Sequence, residues 1–452
     1  MDLKHYHLAG VAGVGMSALA QALVDEGHRV TGSDRFWDQG ERLEIFDQLT
    51  AGGVQLVPQD GSSLTAQTTG LVFSTAIEQD NPEIEAARRL GVPLLHRARM
   101  LAGLTAGKRC IAIAGTCGKT TVTGMVGWIF ECLGEDPHVV NGGAVLNWRS
   151  ASRVGNVRSG SSNLWIVEVD ESDRSLLNFS PDWAILTNIS KDHFELEEVE
   201  DLFRKFAVQV RQGIVCGEGV PGILRNKQAG AFPELYESAI EPVLHGEGYR
   251  FAFKGMDFDV PLAGEHNARN AAAAVLLCDR MGKDLTVVRE ALKSFKGIQR
   301  RLEKVGVGRG VTVLDDYAHN PAKIKAAWSA VRPFSKGVHG VWRPHGFGPL
   351  ASMMEELTDA FADVCRPGDE LAVLPVFYAG GTAHRAVSSQ DLATRLVGRG
   401  VSARVVDDYE TLEEELAAKA APGDVVLCMG ARDPRLPLFA RRLVDRLTKD
   451  EL

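Results

Sequence analysis

The chain lacks a Cys-x-x-Cys pair, an apolar run of membrane-spanning length and an excess of positive charge. Its seven cysteines, at positions 110, 117, 132, 216, 278, 365 and 428, are dispersed and odd in number. That pattern argues against a disulfide framework or a zinc site and suits free thiols in a reducing cytosol. A transmembrane helix needs about 20 consecutive apolar residues, and no stretch approaches that. The first residues, Met1-Asp-Leu-Lys-His5, carry no basic leader ahead of an apolar core, which predicts no signal peptide and a cytoplasmic protein. A formal net charge of −9 argues against nucleic acid or an anionic membrane as the main partner, although an acidic protein can still hold a basic cleft. With 452 residues there is room for about three domains of ordinary size.

What is present centres on Ile111-Ala-Ile-Ala-Gly-Thr-Cys-Gly-Lys-Thr-Thr121. An apolar run predicts a buried strand, Gly115 breaks it, and a helical pattern follows from Thr120 to about Cys132. A strand, a glycine-bracketed loop and a helix start form a phosphate cradle, with main-chain N–H groups of Gly115, Thr116 and Gly118 turned toward an anion. Lys119 supplies a full charge where the helix end offers only about half of one. The hydroxyl of Thr120 sits where a Mg²⁺ ligand is needed, with Thr121 beside it. The general P-loop pattern is incomplete, since Ile113 stands where its first glycine belongs.

Before this loop, Tyr6 to Ala9 reads as a strand, Gly10-Val-Ala-Gly-Val-Gly-Met16 as a glycine-rich turn, and the stretch to Glu26 as a helix. The next strand ends at Ser33-Asp34. This is a βαβ unit that suits a diphosphate on Gly13, Gly15 and Met16, with Ser33 or Asp34 near a ribose. The glycines at 10, 13 and 15 do not keep the G-x-G-x-x-G spacing, so a purely structural turn explains them equally well. A further strand over Gly70–Thr75 brings Ser74 and Thr75 to the end where open α/β sheets bind ligands. Those hydroxyls either donate to phosphate or cap the helix that begins near Pro82. Pro93 to Leu101, with His96 and Arg97, reads as a strand passing into a helix, and 103–108 as a linker.

Downstream, Leu164-Trp-Ile-Val-Glu-Val-Asp-Glu-Ser-Asp173 is a buried strand ending in four acidic residues. Carboxylates there, facing a phosphate loop, meet the needs of a Mg²⁺–nucleotide site. Glu168 and Asp170 share a face if the strand continues; the alternative is an acidic loop with Asp170 or Ser172 as a helix N-cap. His193 beside Asp192 ends another apolar run and is either a metal ligand oriented by its neighbour or a solvated loop histidine. Asn267 and Asn270 lie three apart on one helical face, and amides can both donate to and accept from an adenine edge. From 297 onward, strands and helices alternate in a doubly wound pattern. Asp316 and His319 end one strand ahead of Pro321, and His345 follows another in Arg343-Pro-His-Gly-Phe-Gly348, where the glycines serve a turn or a site equally well.

Taken in order, Gly115 to Thr121, Glu168 to Asp173, Thr187-Asn-Ile189 with Asp192-His193, Gly264-Glu-His-Asn267 through Asn270, Gly297 to Glu303, and Asp315-Asp-Tyr-Ala-His-Asn-Pro321 resemble the Mur ligase family. These are cytoplasmic, ATP-dependent ligases that form amide bonds in peptidoglycan synthesis. The resemblance covers nearly the whole chain and implies three α/β domains, each on a mostly parallel sheet. They are a Rossmann-like UDP-sugar domain at 1–105, a central P-loop ATP domain at 106–296, and a Rossmann-like amino-acid domain at 297–452.

It also implies roles. Thr120, Glu168 and His193 would hold Mg²⁺, Lys119 the β- and γ-phosphates, and Asn267 and Asn270 the adenine. Arg301 would reach the γ-phosphate, and Asp316 and His319 the nucleotide. Lys119, Glu168, His193 and Arg301 would form the catalytic set. Gly10 to Ala20, Gly32-Ser-Asp34, Ser74-Thr-Ala-Ile77 and the acidic run look like the alanine-adding members. They imply UDP-N-acetylmuramate as substrate, held by Gly13, Gly15, Met16, Ser33, Asp34, Ser74, Thr75 and Arg97, with His345 near the amine. The implied protein is a monomer or homodimer that phosphorylates the sugar carboxylate and lets an amine attack the acyl-phosphate. Two departures bear on that amine. Cys117 replaces a usual histidine, and Gly346-Phe-Gly-Pro349 replaces an arginine-containing run. L-alanine and a whole tripeptide are therefore both candidates. No carbamoylated lysine is identified, Lys205 being merely near. A Mur-like binding protein without ligase activity is opposed by the intact Lys119, Thr120, Glu168 and His193.

Overall fold

The computed structural model describes residues 3–189, 196–217, 219–224, 233–235, 240–378 and 386–449. The chain is mixed α/β with several mostly parallel sheets. It divides into two compact units, one made of Met1–Pro242, Arg250–Pro261 and His266–Ile298, the other of Val243–Tyr249, Leu262–Glu265 and Gln299–Leu452.

The first unit holds two sheets. In one, β1 (His5–Ala9), β2 (Arg29–Ser33), β3 (Gln55–Leu56), β4 (Gly70–Phe73) and β5 (Leu94–His96) run parallel in the order β3-β2-β1-β4-β5. Chain direction reverses across the sheet between β1 and β4, so the loops after Ala9 and Phe73 flank the switch point where such sheets bind ligands. Helix Val14–Asp25 covers one face by burying Met16, Leu19, Ala20 and Leu23. In the other sheet, β6 (Arg109–Ala114), β7 (His138–Val140), β8 (Val157–Arg158), β9 (Leu164–Glu168), β10 (Trp183–Leu186), β11 (Gly213–Cys216) and β12 (Pro233–Leu235) take the order β12-β11-β10-β6-β9-β7-β8. Only β8 is antiparallel to its neighbour. The continuous apolar run Cys110–Ala114 is buried because β6 is central and covered on both faces.

A buried polar seam locks these sheets together. Asn156 Nδ2 donates to Val14 O (2.8 Å) and Ser17 Oγ (2.9 Å), and Gln21 Nε2 donates to Asn156 Oδ1 (3.0 Å). Arg153 clasps Asp25 with two bonds of 2.8 Å, and Gln48 Nε2 reaches Ser150 O at 2.8 Å. Ser17, Gln21 and Asn156 are fully buried, so each amide must find its partner within the protein.

After the short strands β13 (Val243–His245), β14 (Gly248–Phe253) and β15 (Met256–Val260), the second unit builds its main sheet. β16 (Glu303–Gly308), β17 (Val311–Asp316), β18 (Val338–Arg343), β19 (Glu370–Val373), β20 (Ala403–Val405) and β21 (Val425–Gly430) lie in the order β16-β17-β21-β18-β19-β20. All neighbours are parallel except β16 against β17. Trp328, Trp342 and Phe361 fill one side of this sheet and Phe439, Leu443 and Leu447 the other. Among the described residues no helix is long and apolar enough to cross a membrane.

Several boundaries differ from the sequence expectation. Helix Arg97–Thr105 runs through Gly103, because Leu101 and Thr105 are buried beneath it, and the linker shrinks to 106–108. β9 stops at Glu168, so Asp170 lies in a turn and not on a shared strand face. The edge strand β16, the helix Phe347–Ser352 and the C-terminal helix Arg435–Lys449 were not anticipated. Replacing Asn156 with alanine would remove its bonds to Val14 O and Ser17 Oγ and leave one N–H of the buried Gln21 amide without a partner, the other staying on Ser17 O. Unfolding of the first unit in urea should then show a loss of about 1–3 kcal/mol.

Candidate active site

The phosphate loop follows β6 and runs into helix Lys119–Cys132. Gly115 (φ 130°) and Gly118 (φ 87°) take backbone conformations closed to other residues, and a side chain at either would overlap Thr187 or Asn270. The end of β10 holds the loop's shape. Thr187 Oγ1 and Asn188 Nδ2 donate to Cys117 O at 2.6 and 2.9 Å, and Cys117 N donates to Asn188 Oδ1 at 3.0 Å. Gly118 is the N-cap of the helix and no side chain caps it. Helix Val14–Asp25 likewise starts after Gly13 with no side-chain cap, whereas Asn81, Asp284, Asn320, Ser388 and Asp408 cap theirs. Uncapped amides at two glycine turns are what an anion site requires.

Lys119 Nζ donates to Gly115 O and to Glu171 Oε2, both at 2.7 Å, and lies 3.8 Å from Asp170. Burial disfavours its charge, but Glu171, Asp170 and Glu168 outweigh that and raise its pKa. Thr120 Oγ1 donates to Glu168 Oε1 at 3.1 Å, and Gly142 N to Glu168 Oε2 at 2.7 Å. A hydroxyl and a carboxylate side by side are hard oxygen donors of the kind Mg²⁺ takes alongside phosphate oxygens, so these residues fit the metal. His193 lies outside the described residues. Among the described residues no group of three His, Cys, Asp or Glu forms a metal cage by itself.

A cleft of about 340 Å³ joins this centre to the glycine-rich turn. Gly13, Val14, Gly15, Met16, Ser74 and Arg97 line one side, and Asn141, Gly142, Glu168 and Asp170 the other. Arg97 packs against Gly15, where an added Cβ would lie 3.0 Å from its guanidinium, and sits 3.7 Å from Asp173.

Other expected residues are placed differently. Ser33 is fully buried and donates to Glu83 Oε2 (2.8 Å), while Glu83 Oε1 accepts from His7, so the Ser33 hydroxyl is not available to a ribose. Asp34 spends its oxygens on Ala12 N and Phe36 N, capping the helix Arg35–Asp38. The Met16 side chain is core, which leaves only its main chain for an anion. Thr75 is exposed, and Asn81, not Ser74 or Thr75, caps helix Pro82–Leu90. Neither Asp170 nor Ser172 caps the short helix Ser175–Asn178; Asp170 instead accepts from Ser172 N. Asn267 and Asn270 are buried and joined at 3.3 Å, with Asn270 backing Gly118; they support the loop. Thr121 is buried in the helix, Thr116 N donates to Asn188 O, and Lys205 is exposed and paired with Asp201. Glu171, passed over within the acidic run, is the residue that meets Lys119. The Thr187-Asn188 pair was visible in the sequence as a motif, but its latching role was not.

In the second unit, Asp316 accepts from Leu302 N (2.8 Å) and Ala318 N (2.7 Å) and so shapes the turn after β17. Arg301 lies over the Tyr317 ring at 5.9 Å. His319 meets His345 edge to face at 4.8 Å and uses Nδ1 on Tyr317 O at 2.9 Å. Burial is the main reason that the His319 pKa falls to about 4. His345 is lowered too, by burial and then by the charges of Arg432 and Lys323.

A phosphate loop and a Rossmann-type turn opening on one cleft define a nucleotide-dependent enzyme. Comparison with known proteins is specific. The Mur ligase family catalytic domain matches residues 5–109, the Mur ligase middle domain 113–207, and the Mur ligase glutamate ligase domain 300–432. UDP-N-acetylmuramate–L-alanine ligase of Paracoccus denitrificans is 34% identical across 99% of this chain and 98% of that protein. The same ligase of Cereibacter sphaeroides is 35% identical across 99% and 97%. The crystal structure of UDP-N-acetylmuramate-alanine ligase from Thermotoga maritima matches over the whole of both chains with a TM-score of 0.81 at 25% identity. A murein peptide ligase from Psychrobacter arcticus shares the fold, with a TM-score of 0.66 at 20% identity over 98% of each chain. The chain belongs to the Mur ligase family.

Because the folded His319 titrates near 4 and an unfolded histidine near 6.5, the unfolded chain binds the extra proton between those values. Stability of the second unit should therefore fall as pH is lowered through that window and return above it. His319→Gln should flatten the slope, and the imidazole resonance of His319 should titrate near 4.

Proposed function

We propose that the protein joins the carboxylate of UDP-N-acetylmuramate to the amine of L-alanine at the expense of ATP, in peptidoglycan precursor synthesis in the cytoplasm. The observation that carries this reading is the single cleft running from the uncapped glycine turn at Gly13 to the carboxylates at the phosphate loop. A substrate with a diphosphate at one end and a carboxylate at the other matches such a cleft. Full-length similarity to alanine-adding ligases supports the same substrates.

Residues 1–105 would serve the UDP-sugar, 106–296 the ATP and 297–452 the amine. Main-chain N–H groups of Gly15 and Met16 would bind the sugar diphosphate, with Ser74 and Arg97 at the cleft wall; Gly13, whose N–H donates to Gly10 O at 3.1 Å, would shape the turn. Lys119 would exchange Glu171 for the β- and γ-phosphates. Thr120 and Glu168, with His193, would hold Mg²⁺, which when bound supplies charge neutralisation on the phosphate oxygens. Transfer of the γ-phosphoryl from ATP to a carboxylate oxygen of the sugar breaks the γ-phosphorus bond to the bridging oxygen, releases ADP and gives an acyl-phosphate. The amine attacks its carbonyl carbon, phosphate leaves, and the ammonium proton passes to solvent. Lys119 holds positive charge where negative charge grows during both steps. Arg301 and His319 are assigned to the nucleotide and His345 to the amine, while Asp316, expected at the nucleotide, is taken by the N–H groups of Leu302 and Ala318 and would hold the turn that carries them.

A second reading, ligation of a whole peptide, rests on Gly346 and Gly348, of which Gly348 has open space around it. Phosphate release from ATP and UDP-N-acetylmuramate, with each amine supplied in turn, decides between them. L-alanine should stimulate release; stimulation by the tripeptide alone would favour the second reading, and silence with every amine would overturn both. Lys119→Ala should lower turnover by at least about 10²–10³-fold while UDP-sugar binding survives. Loss of both together would contradict the domain roles.

A further inference from the structure

Seven non-glycine residues among those described adopt positive φ: Asp136, Arg174, Lys254, Arg300, Leu302, Arg309 and Arg432. Such conformations are strained for side-chain-bearing residues and persist where something compensates. Six have a visible compensation. Asp136 accepts from Arg158 and Ser161, Arg174 pairs with Glu198, and Lys254 pairs with Asp279. Arg300 binds Asp315 and Gly430 O, Arg309 donates to Ala417 O, and Leu302 is buried with its N–H on Asp316. Arg432, at φ 64°, has no ion pair, hydrogen bond or ring contact among the described residues, and its side chain is exposed.

Its position is defined by the sheet. β18 and β21 are parallel neighbours with Arg343 opposite Gly430, so His345 and Arg432 each lie two residues beyond that pair, at the carboxyl ends of the strands. The adjacent acid is already committed: Asp433 is fully buried and taken by Arg343, Tyr409 and Arg435. Lys323, in the first turn of helix Pro321–Val331, is a second cation with no ionic partner among the described residues. Both charges act on His345, which touches His319. Two unpaired cations beside two partly buried imidazoles, on the ligand side of a parallel sheet, form a receptor for a small anion.

We infer that Arg432 holds the free carboxylate of the incoming amino acid, with Lys323 assisting, and thereby selects a single amino acid over an amine whose carboxyl is already amidated. This rests on the ligase reading above and deepens it. A guanidinium can grip a carboxylate with two parallel bonds, a gain that would offset the strain of the positive φ at Arg432.

The test compares wild type, Arg432→Gly and Arg432→Lys with L-alanine and L-alaninamide. Wild type should favour L-alanine. Arg432→Gly should lose about 10- to 100-fold in kcat/KM for L-alanine, mainly through KM, and almost nothing for L-alaninamide. Arg432→Lys should recover part of the loss. Glycine is at ease at this φ, so Arg432→Gly should also raise the thermal midpoint, and misfolding would not explain its defect. Unchanged discrimination with a raised midpoint would overturn the inference. A second readout needs no turnover. The His345 resonances of wild type should shift with L-alanine but not with L-alaninamide, and Arg432→Gly should not respond. An unresponsive His345 in wild type at saturating L-alanine also overturns it. Absence of phosphate release with every amine would instead sink the ligase reading, separately from the His345 result.

Discussion

The ammonium of Lys119 is the pivot of the first unit. It is buried beside a carbonyl and two carboxylates, and its charge survives only because those partners offset the loss of water. The neighbouring pieces follow from keeping that charge in place. Gly115 and Gly118 bend the chain around it, Thr187 and Asn188 latch the bend, and Glu168 ties Thr120 to Gly142 across the gap between β6 and β7. A phosphate arriving as proposed would therefore meet a fixed cation and have to displace one carboxylate, Glu171, to reach it. Little else has to be reorganised, which is the condition under which electrostatics contribute most to a reaction.

The second unit solves a different problem with the same kind of sheet. Its strand ends carry cations and neutral imidazoles in place of a lysine ringed by acids. Asp315 is buried against Arg300, and burial lifts its pKa to about 7. Asp316 is spent on main-chain amides. Both acids are thereby engaged within the scaffold, while Arg301 and Arg432 stay exposed.

Much of this was legible in the sequence. The phosphate loop, the βαβ opening and the alternating elements of the third sheet follow from apolar runs punctuated by glycine, which is a local signal. Pro321 at a helix start and Asn320 before it are local as well. What was not legible depends on partners far away in the chain. Ser33 looked like a ribose ligand because it ends a strand, yet Glu83 claims it from 50 residues on. Asn267 and Asn270 read in the sequence as a pair facing an adenine, and what the pattern did not show is that Asn270 also backs Gly118, some 150 positions earlier. The acidic run announced a cation partner but not which carboxylate meets Lys119, since β9 ends sooner than an extended reading assumes. The edge strand β16 escaped notice because its glycines and exposed positions mimic a loop.

The Asn156 seam has a consequence for substrate choice. It bonds the main chain of Val14, one residue past the turn proposed to receive the sugar diphosphate, to the body that carries Lys119. The two ends of the cleft are thus riveted to one frame, and the gap between them is a fixed gauge. A nucleotide sugar whose acid arm is too short or too long would seat its diphosphate correctly and still present its carboxylate off the mark. On the proposed roles the first unit would measure its substrate as a ruler does, and length would become a criterion of acceptance in its own right.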